Sequence, residues 1–199
     1  LVEKAGARPP RPLFVELAEI HARRGRPAAA LAVLERSPGD ALGSDLGLLE
    51  LRDQCLRETG AKRELAEVLE TLVNLEAGQL PSLRAERLRE LAGLCEEELS
   101  DLSGAEAHWS AAFALMPADA DALTALVRLQ RKREDWNALR QTFETALGAV
   151  GQAAPALLWN QFGELMLEHF DDPAAARICF SRTATPKQNG SAARRERGR

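Results

Sequence analysis

Three histidines, three cysteines and 30 Asp and Glu residues are what this chain offers for chemistry. His21, His108 and His169 lie far apart. His169 has acidic company in Glu164, Glu168, Asp171 and Asp172, a donor set suited to a cation. On a helix, however, the side chains of Glu168 and His169 diverge by about 100°. Asp171 and Asp172 stand just before Pro173 and read as capping residues. No metal and no cofactor is expected. Cys55, Cys95 and Cys179 make no CxxC pair, and each falls in an apolar helical pattern. They read as small buried hydrophobes in a reducing compartment. No GxSxG, P-loop, HExxH or GxGxxG motif occurs. Acid–base work by a carboxylate would require a pocket that shifts its pKa, and nothing in the sequence indicates one. The chain is expected not to be an enzyme.

What stands out instead is charge. Arg128, Arg131, Lys132 and Arg133 form the densest basic run of the body. Its place late in a helix suits the helix dipole, and it also suits an acidic peptide. Residues 1–12 carry +2 and residues 187–199 carry +4, so the net charge of −4 leaves −10 on residues 13–186. An acidic body repels phosphates, which argues against nucleic acid as a partner. The basic ARRERGR end lacks aromatics on which bases could stack.

The composition is 45% hydrophobic and 28% charged, rich in Leu and Ala and poor in β-branched residues. That favours helix. No apolar run approaches the ~18 residues of a membrane span. No signal peptide opens the chain, and a cytoplasmic setting is expected. Position 1 is Leu rather than Met, which suggests a piece of a longer protein.

Apolar stripes and breakers predict helices in pairs. The first pair covers 13–24 and about 27–36, with Gly25 between them and a break at Ser37–Asp40. The second covers 45–59 and 62–76, closed by Gly60 and ended by Gly78 and Pro81. Ser82 reads as the N-cap of a helix over 83–99. The stretch Arg84–Leu147 shows the pattern best. Leu91-Ala92 returns as Leu126-Val127, 35 residues on. Ala105, Trp109 and Ala112 return as Leu139, Phe143 and Ala146, 34 residues on. A period in this range marks a solenoid of helix pairs. A break at Gly148–Gly151 leads to a fifth pair over 155–170 and 173–183. Residues 1–12 read as a flexible lead-in, and 187–199 as a disordered basic tail.

These positions resemble the tetratricopeptide repeat, TPR. Leu91, Ala92, Ala105, Trp109, Ala112 and Pro117 match its pattern in the third repeat; Leu123, Leu126, Phe143 and Ala146 match in the fourth. The fifth supplies Trp159, Phe162, Gly163, Ala176, Phe180 and Pro186, and the first Phe14, Leu17, Ala18, Gly25, Ala30 and Leu34. The first-helix aromatic of the family is replaced throughout, by His21, Leu56, Cys95, Gln130 and Met166. A HEAT-like or other α-solenoid would use similar helix pairs. The resemblance implies an all-α, right-handed α-α superhelix of about five TPR-like helix-turn-helix repeats, at about 13–44, 45–81, 82–117, 118–154 and 155–186.

TPR arrays present their first helices on a concave groove. By that resemblance the groove is lined by Glu16, Glu19 and Arg23, then Glu50, Gln54 and Arg57. Arg89, Glu90 and Glu96 follow, then Arg128, Arg131 and Lys132, then Asn160, Gln161 and Glu164. The same faces also suit an ordinary solvated surface. The carboxylate clamp of chaperone-binding members is absent, since its positions hold Val15, Glu19, Glu50, Gln54, Arg89 and Gly93. Trp109 and Phe143 read as wedges between helix pairs. The function implied is a protein-interaction scaffold or adaptor that binds a protein or peptide segment. The alternative is a structural, self-associating segment, a homo-oligomer without a free ligand.

Overall fold

One backbone device, repeated five times, sets the course of this chain. Gly25, Gly60, Ser100, Glu134 and Asp171 take left-handed conformations, with φ of 66°, 72°, 56°, 57° and 48°. Just beyond each, an amide donates back to a carbonyl of the preceding helix. The bonds run from Arg26 to His21 (3.0 Å), Ala61 to Leu56 (3.2 Å), Asp101 to Cys95 (2.8 Å), Asp135 to Gln130 (3.0 Å) and Asp172 to Met166 (3.0 Å). Such closure satisfies carbonyls that a helix end leaves orphaned, and it reverses the chain. The five acceptors are the five positions where the sequence lacks the family's aromatic. They are equivalent in their backbone role despite unlike side chains.

The computed structural model describes residues 11–36, 45–75 and 80–183. Among these, the helices are α1 (Arg11–Arg23), α2 (Pro27–Glu35), α3 (Leu46–Thr59), α4 (Lys62–Leu75) and α5 (Pro81–Glu97). They continue with α6 (Leu102–Leu115), α7 (Ala120–Lys132), α8 (Trp136–Val150), α9 (Ala156–Phe170) and α10 (Pro173–Thr183). The fold is all-α, and no helix among the described residues is long and apolar enough to cross a membrane. The break expected at Ser37–Asp40, Gly78, most of the lead-in and the basic tail lie outside the described residues.

Aspartates start many of these helices. Asp45, Asp101, Asp119, Asp135 and Asp172 each accept an amide hydrogen bond in the following first turn. Three boundaries differ from expectation. α1 begins at Arg11, because Pro12 in a first turn loses no hydrogen bond. α5 begins at Pro81, after Leu80 in a left-handed conformation, so Ser82 lies inside the helix and is not its N-cap. α8 runs through Gly148 to Val150. A helix tolerates an interior Gly at roughly 1 kcal/mol, and the positive φ that ends it falls on Gly151.

The chain divides into two compact units between Met116 and Pro117. In the first, Ala18, Ala30, Leu34, Leu48 and Cys55 form one buried cluster. Leu49, Leu56, Leu69, Leu72, Leu91, Cys95 and Ala105 belong to another, with Trp109 packed against it. Alanine at 18, 30, 92, 105 and 112 is fully buried, which lets helix backbones approach. In the second unit Phe143 on α8 is fully buried and stacks on Phe162 of α9, with ring centroids 5.7 Å apart. Phe143 thus wedges one pair against the next.

Gly163 on α9 is needed for the approach of α10. A Cβ placed there would lie 2.6 Å and 2.8 Å from ring atoms of Phe180. Gly163→Ala is therefore expected to destabilise the second unit by about 1–3 kcal/mol, the usual cost of overpacking. Urea unfolding followed by circular dichroism checks it, and an unchanged midpoint would contradict the contact.

Candidate functional site

The first-helix face of the first unit is built from acids and bases at helical spacing, and the fold turns them toward one another. Arg57 on α3 donates from Nε to Asp53 Oδ2 (2.9 Å) and from Nη2 to Glu90 Oε2 on α5 (2.6 Å). Its Nη1 also contacts Glu90 Oε1, which makes the pair bidentate. In the opposite sense, Arg87 on α5 lies 3.6 Å from Glu50 on α3. The hydrogen bond to Glu90, then that to Asp53, pushes the Arg57 pKa further above its already high value. Lys62 on α4 pairs with Glu98, again raising the pKa of the cation. Within helices, Arg23 pairs with Glu19 at 2.8 Å and Gln54 donates to Glu58 at 3.3 Å. Glu96 accepts the indole Nε1 of Trp109 at 2.8 Å. Arg89 is half-buried and engaged, and Glu16 is exposed. Half-exposed pairs of this kind contribute little stability, roughly 0–1 kcal/mol each. A charged group approaching this face has to displace a partner already in place.

The second unit carries the other residues that the sequence pattern placed on first-helix faces, and it arranges them differently. Arg128, Arg131 and Lys132 are exposed on α7, Asn160 and Gln161 are half-buried on α9, and Glu164 is exposed. Beside them lies an apolar cleft of about 420 Å³. Leu123 and Val127 of α7, Val150 of α8, and Leu157, Leu158 and Gln161 of α9 contribute to its walls, and no charged side chain lines it. A second hollow of about 180 Å³ is lined by Arg131, Trp136, Leu165, Glu168 and His169. Val127 and Arg131 are one turn apart on α7, as are Gln161 and Leu165 on α9, so they share a face. The two hollows follow one another along the same pair of helices. The apolar hollow lies toward the starts of α7 and α9 and the charged one toward their ends, and the face that carries both is termed the trough.

Aromatic contacts brace the charged end. His169 stacks on Trp136 with centroids 3.5 Å apart and planes at 13°. The Arg140 guanidinium lies 4.9 Å from the centre of the Phe170 ring. His169 Nε2 is 3.9 Å from Glu168, and Asp172 is occupied in capping α10. Among the described residues, no group of three or more His, Cys, Asp or Glu could hold a metal ion. His21 is half-buried, and its Nδ1 is buried without a hydrogen-bond partner. His108 is half-buried as well. Cys55, Cys95 and Cys179 are free and buried, and desolvation leads in pushing each thiol pKa up, away from the reactive thiolate.

Gln130, a polar misfit in the repeat pattern, has a partner across its pair. Thr142 Oγ1 on α8 donates to Gln130 Oε1 at 3.0 Å, and both residues are buried. Thr142→Val removes the donor but leaves the acceptor buried, at an expected cost of about 1–3 kcal/mol. The double variant Q130L/T142V removes both partners and should recover most of that loss. A double-mutant cycle by urea unfolding measures the coupling, and additive losses would contradict it.

The apolar cleft is the part of this site that sequence patterning missed. Leu123, Val127 and Leu157 appear in sequence as core-type residues at helical spacing. Only the fold shows that Leu157 is 67% exposed.

No family profile matches the chain, and no curated protein matches it in sequence. Solved structures do match. The chain is similar to a MamA protein at 14% identity, over 87% of this chain and 89% of that one, with a TM-score of 0.48. It is similar to YrrB, described as a TPR protein with an unusual peptide-binding site, at 13% identity over 92% and 88%, with a TM-score of 0.46. A putative kinesin light chain of Podosopora anserina, with nearly identical TPR-like repeats, matches at 14% identity over 86% and 92%, with a TM-score of 0.43. With its repeated left-handed turns, buried small residues and interpair aromatic wedge, the fold of this chain is TPR-like.

Proposed function

We propose that this chain is a protein-interaction scaffold and that the trough between α7 and α9 seats a peptide or protein segment. One observation carries the reading: an uncharged apolar cleft opens beside exposed cations on the same helix face. Burying a ligand's apolar side chain there supplies affinity, and polar groups at the rim set its register. Arg128, Arg131, Lys132, Asn160, Gln161 and Glu164 flank the seat. On the first unit, Glu19, Arg23, Glu50, Gln54, Arg57 and Arg89 form a separate and weaker candidate face, because their polar groups are engaged within the protein. The acidic balance keeps nucleic acid out of this reading, and the three buried free thiols suit a reducing, cytoplasmic setting.

A peptide array tests the proposal. Peptides bound by the native chain should be lost with Leu157→Asp, a change at an exposed side chain that the fold accommodates. Binding that survives Leu157→Asp would place the site elsewhere. A blank array, with a dimer that Leu157→Asp dissolves, would make the trough a self-association surface.

A further inference from the structure

We propose that the trough selects an acidic–aliphatic segment, with its aliphatic side chain in the cleft of Leu123, Val127, Val150 and Leu157 and its carboxylate on Arg131. This inference rests on the peptide-binding reading above and adds the chemistry of the partner. The cleft has no charged lining, and branched aliphatic residues reach it from α7, α8 and α9, so it takes a side chain of the Leu or Ile class.

The electrostatics choose the neighbouring residue. The segment Arg128–Arg133, the end of α7 and its C-cap residue, carries four cations and no acid. Among the described residues Arg131 and Lys132 form no salt bridge, whereas Arg57, Lys62 and Arg87 in the first unit all do. An incoming carboxylate therefore gains a cation without first breaking a pair, and a guanidinium can hold it with two parallel hydrogen bonds.

Spacing sets the register. Val127 and Arg131 are separated by about 6 Å of helix rise. An extended peptide covers that distance in about two residues. The carboxylate thus belongs two or three residues from the aliphatic anchor. The opposite wall, with Glu164 exposed and Glu168 lining the charged hollow, repels an acid and confines it to the α7 side.

Fluorescence anisotropy on the full chain tests this with three labelled ten-residue peptides. One carries two leucines followed two and three residues later by aspartates. The second has lysines in place of the aspartates, and the third has serines in place of the leucines. The acidic–aliphatic peptide should bind in the micromolar range and the other two at least about 10-fold more weakly. R131E/K132E should weaken the first peptide at least about 10-fold, E168Q should tighten it severalfold, and added salt should weaken it. Both substitutions are at exposed positions, and circular dichroism confirms that the variants fold. Equal binding of the lysine peptide, or indifference to R131E/K132E while L157D still abolishes binding, would overturn the charge selection and leave the trough as a general peptide seat. Binding indifferent to L157D, or no binding by any of the three together with a blank peptide array, would overturn both readings.

Discussion

Truncating Phe143 to alanine should cost about 3–5 kcal/mol, the largest loss expected from any single substitution considered for this chain. Phe143 is fully buried on α8 and stacks on Phe162 of α9. Removing its ring withdraws apolar surface and leaves a void where two pairs meet. Its neighbours Leu139 and Ala146, both buried on the same helix, cannot collapse into that void without shifting α8. A loss of this size is comparable with the whole stability of a small unit, ~5–15 kcal/mol. In a repeat array each pair leans only on its neighbours, so damage stays local. Amide hydrogen exchange should accordingly rise throughout α7–α10 while α3–α5 keep their protection. Uniform exchange, or a loss below ~1 kcal/mol in urea, would refute the wedge assignment.

Leu69→Ala is the counterpart in the first unit, at an expected cost of about 2–5 kcal/mol. Leu69 on α4 is fully buried within the cluster formed by Leu49 and Leu56 of α3, Leu91 and Cys95 of α5 and Ala105 of α6. Its position lets it join two helix pairs, so its removal loosens contacts on both sides. The midpoint of urea unfolding should fall, and exchange should rise first in α3–α5. Arg57 makes a bidentate ion pair, but it is half exposed, and solvent screening leaves such a pair roughly 0–1 kcal/mol. If Arg57→Ala proved more damaging than Leu69→Ala, apolar burial would not be what holds this unit together.

Particular residues show how far the sequence could be read. Gly25 and Gly60 announce their turns, because a left-handed residue at a helix end is most often glycine. Ser100 and Glu134 occupy the same conformation without that signature, and their turns were legible only as breaks between apolar stripes. The five positions held by His21, Leu56, Cys95, Gln130 and Met166 look degenerate as side chains. Their shared role lies in a carbonyl, which no residue type reveals. Gln130 reads as a departure from the pattern until Thr142, on the next helix, turns out to be its hydrogen-bond donor.

Helix content, the pairing of helices and the stock of wedge and small residues followed from the sequence alone. Their physical causes act within a turn or two: periodic apolar faces, Pro and Gly breakers, and aspartate caps. The state of the candidate site depended on the tertiary structure. Arg57 and Arg131 are both arginines on a first-helix face. The fold gives Arg57 a carboxylate 33 residues away and leaves Arg131 exposed at the rim of a trough. In the same way it buries Leu158 and exposes its neighbour Leu157 beside an apolar cleft. Charge and hydrophobicity belong to a residue; whether they are spent on a partner inside the protein or offered outside it depends on contacts between distant parts of the chain.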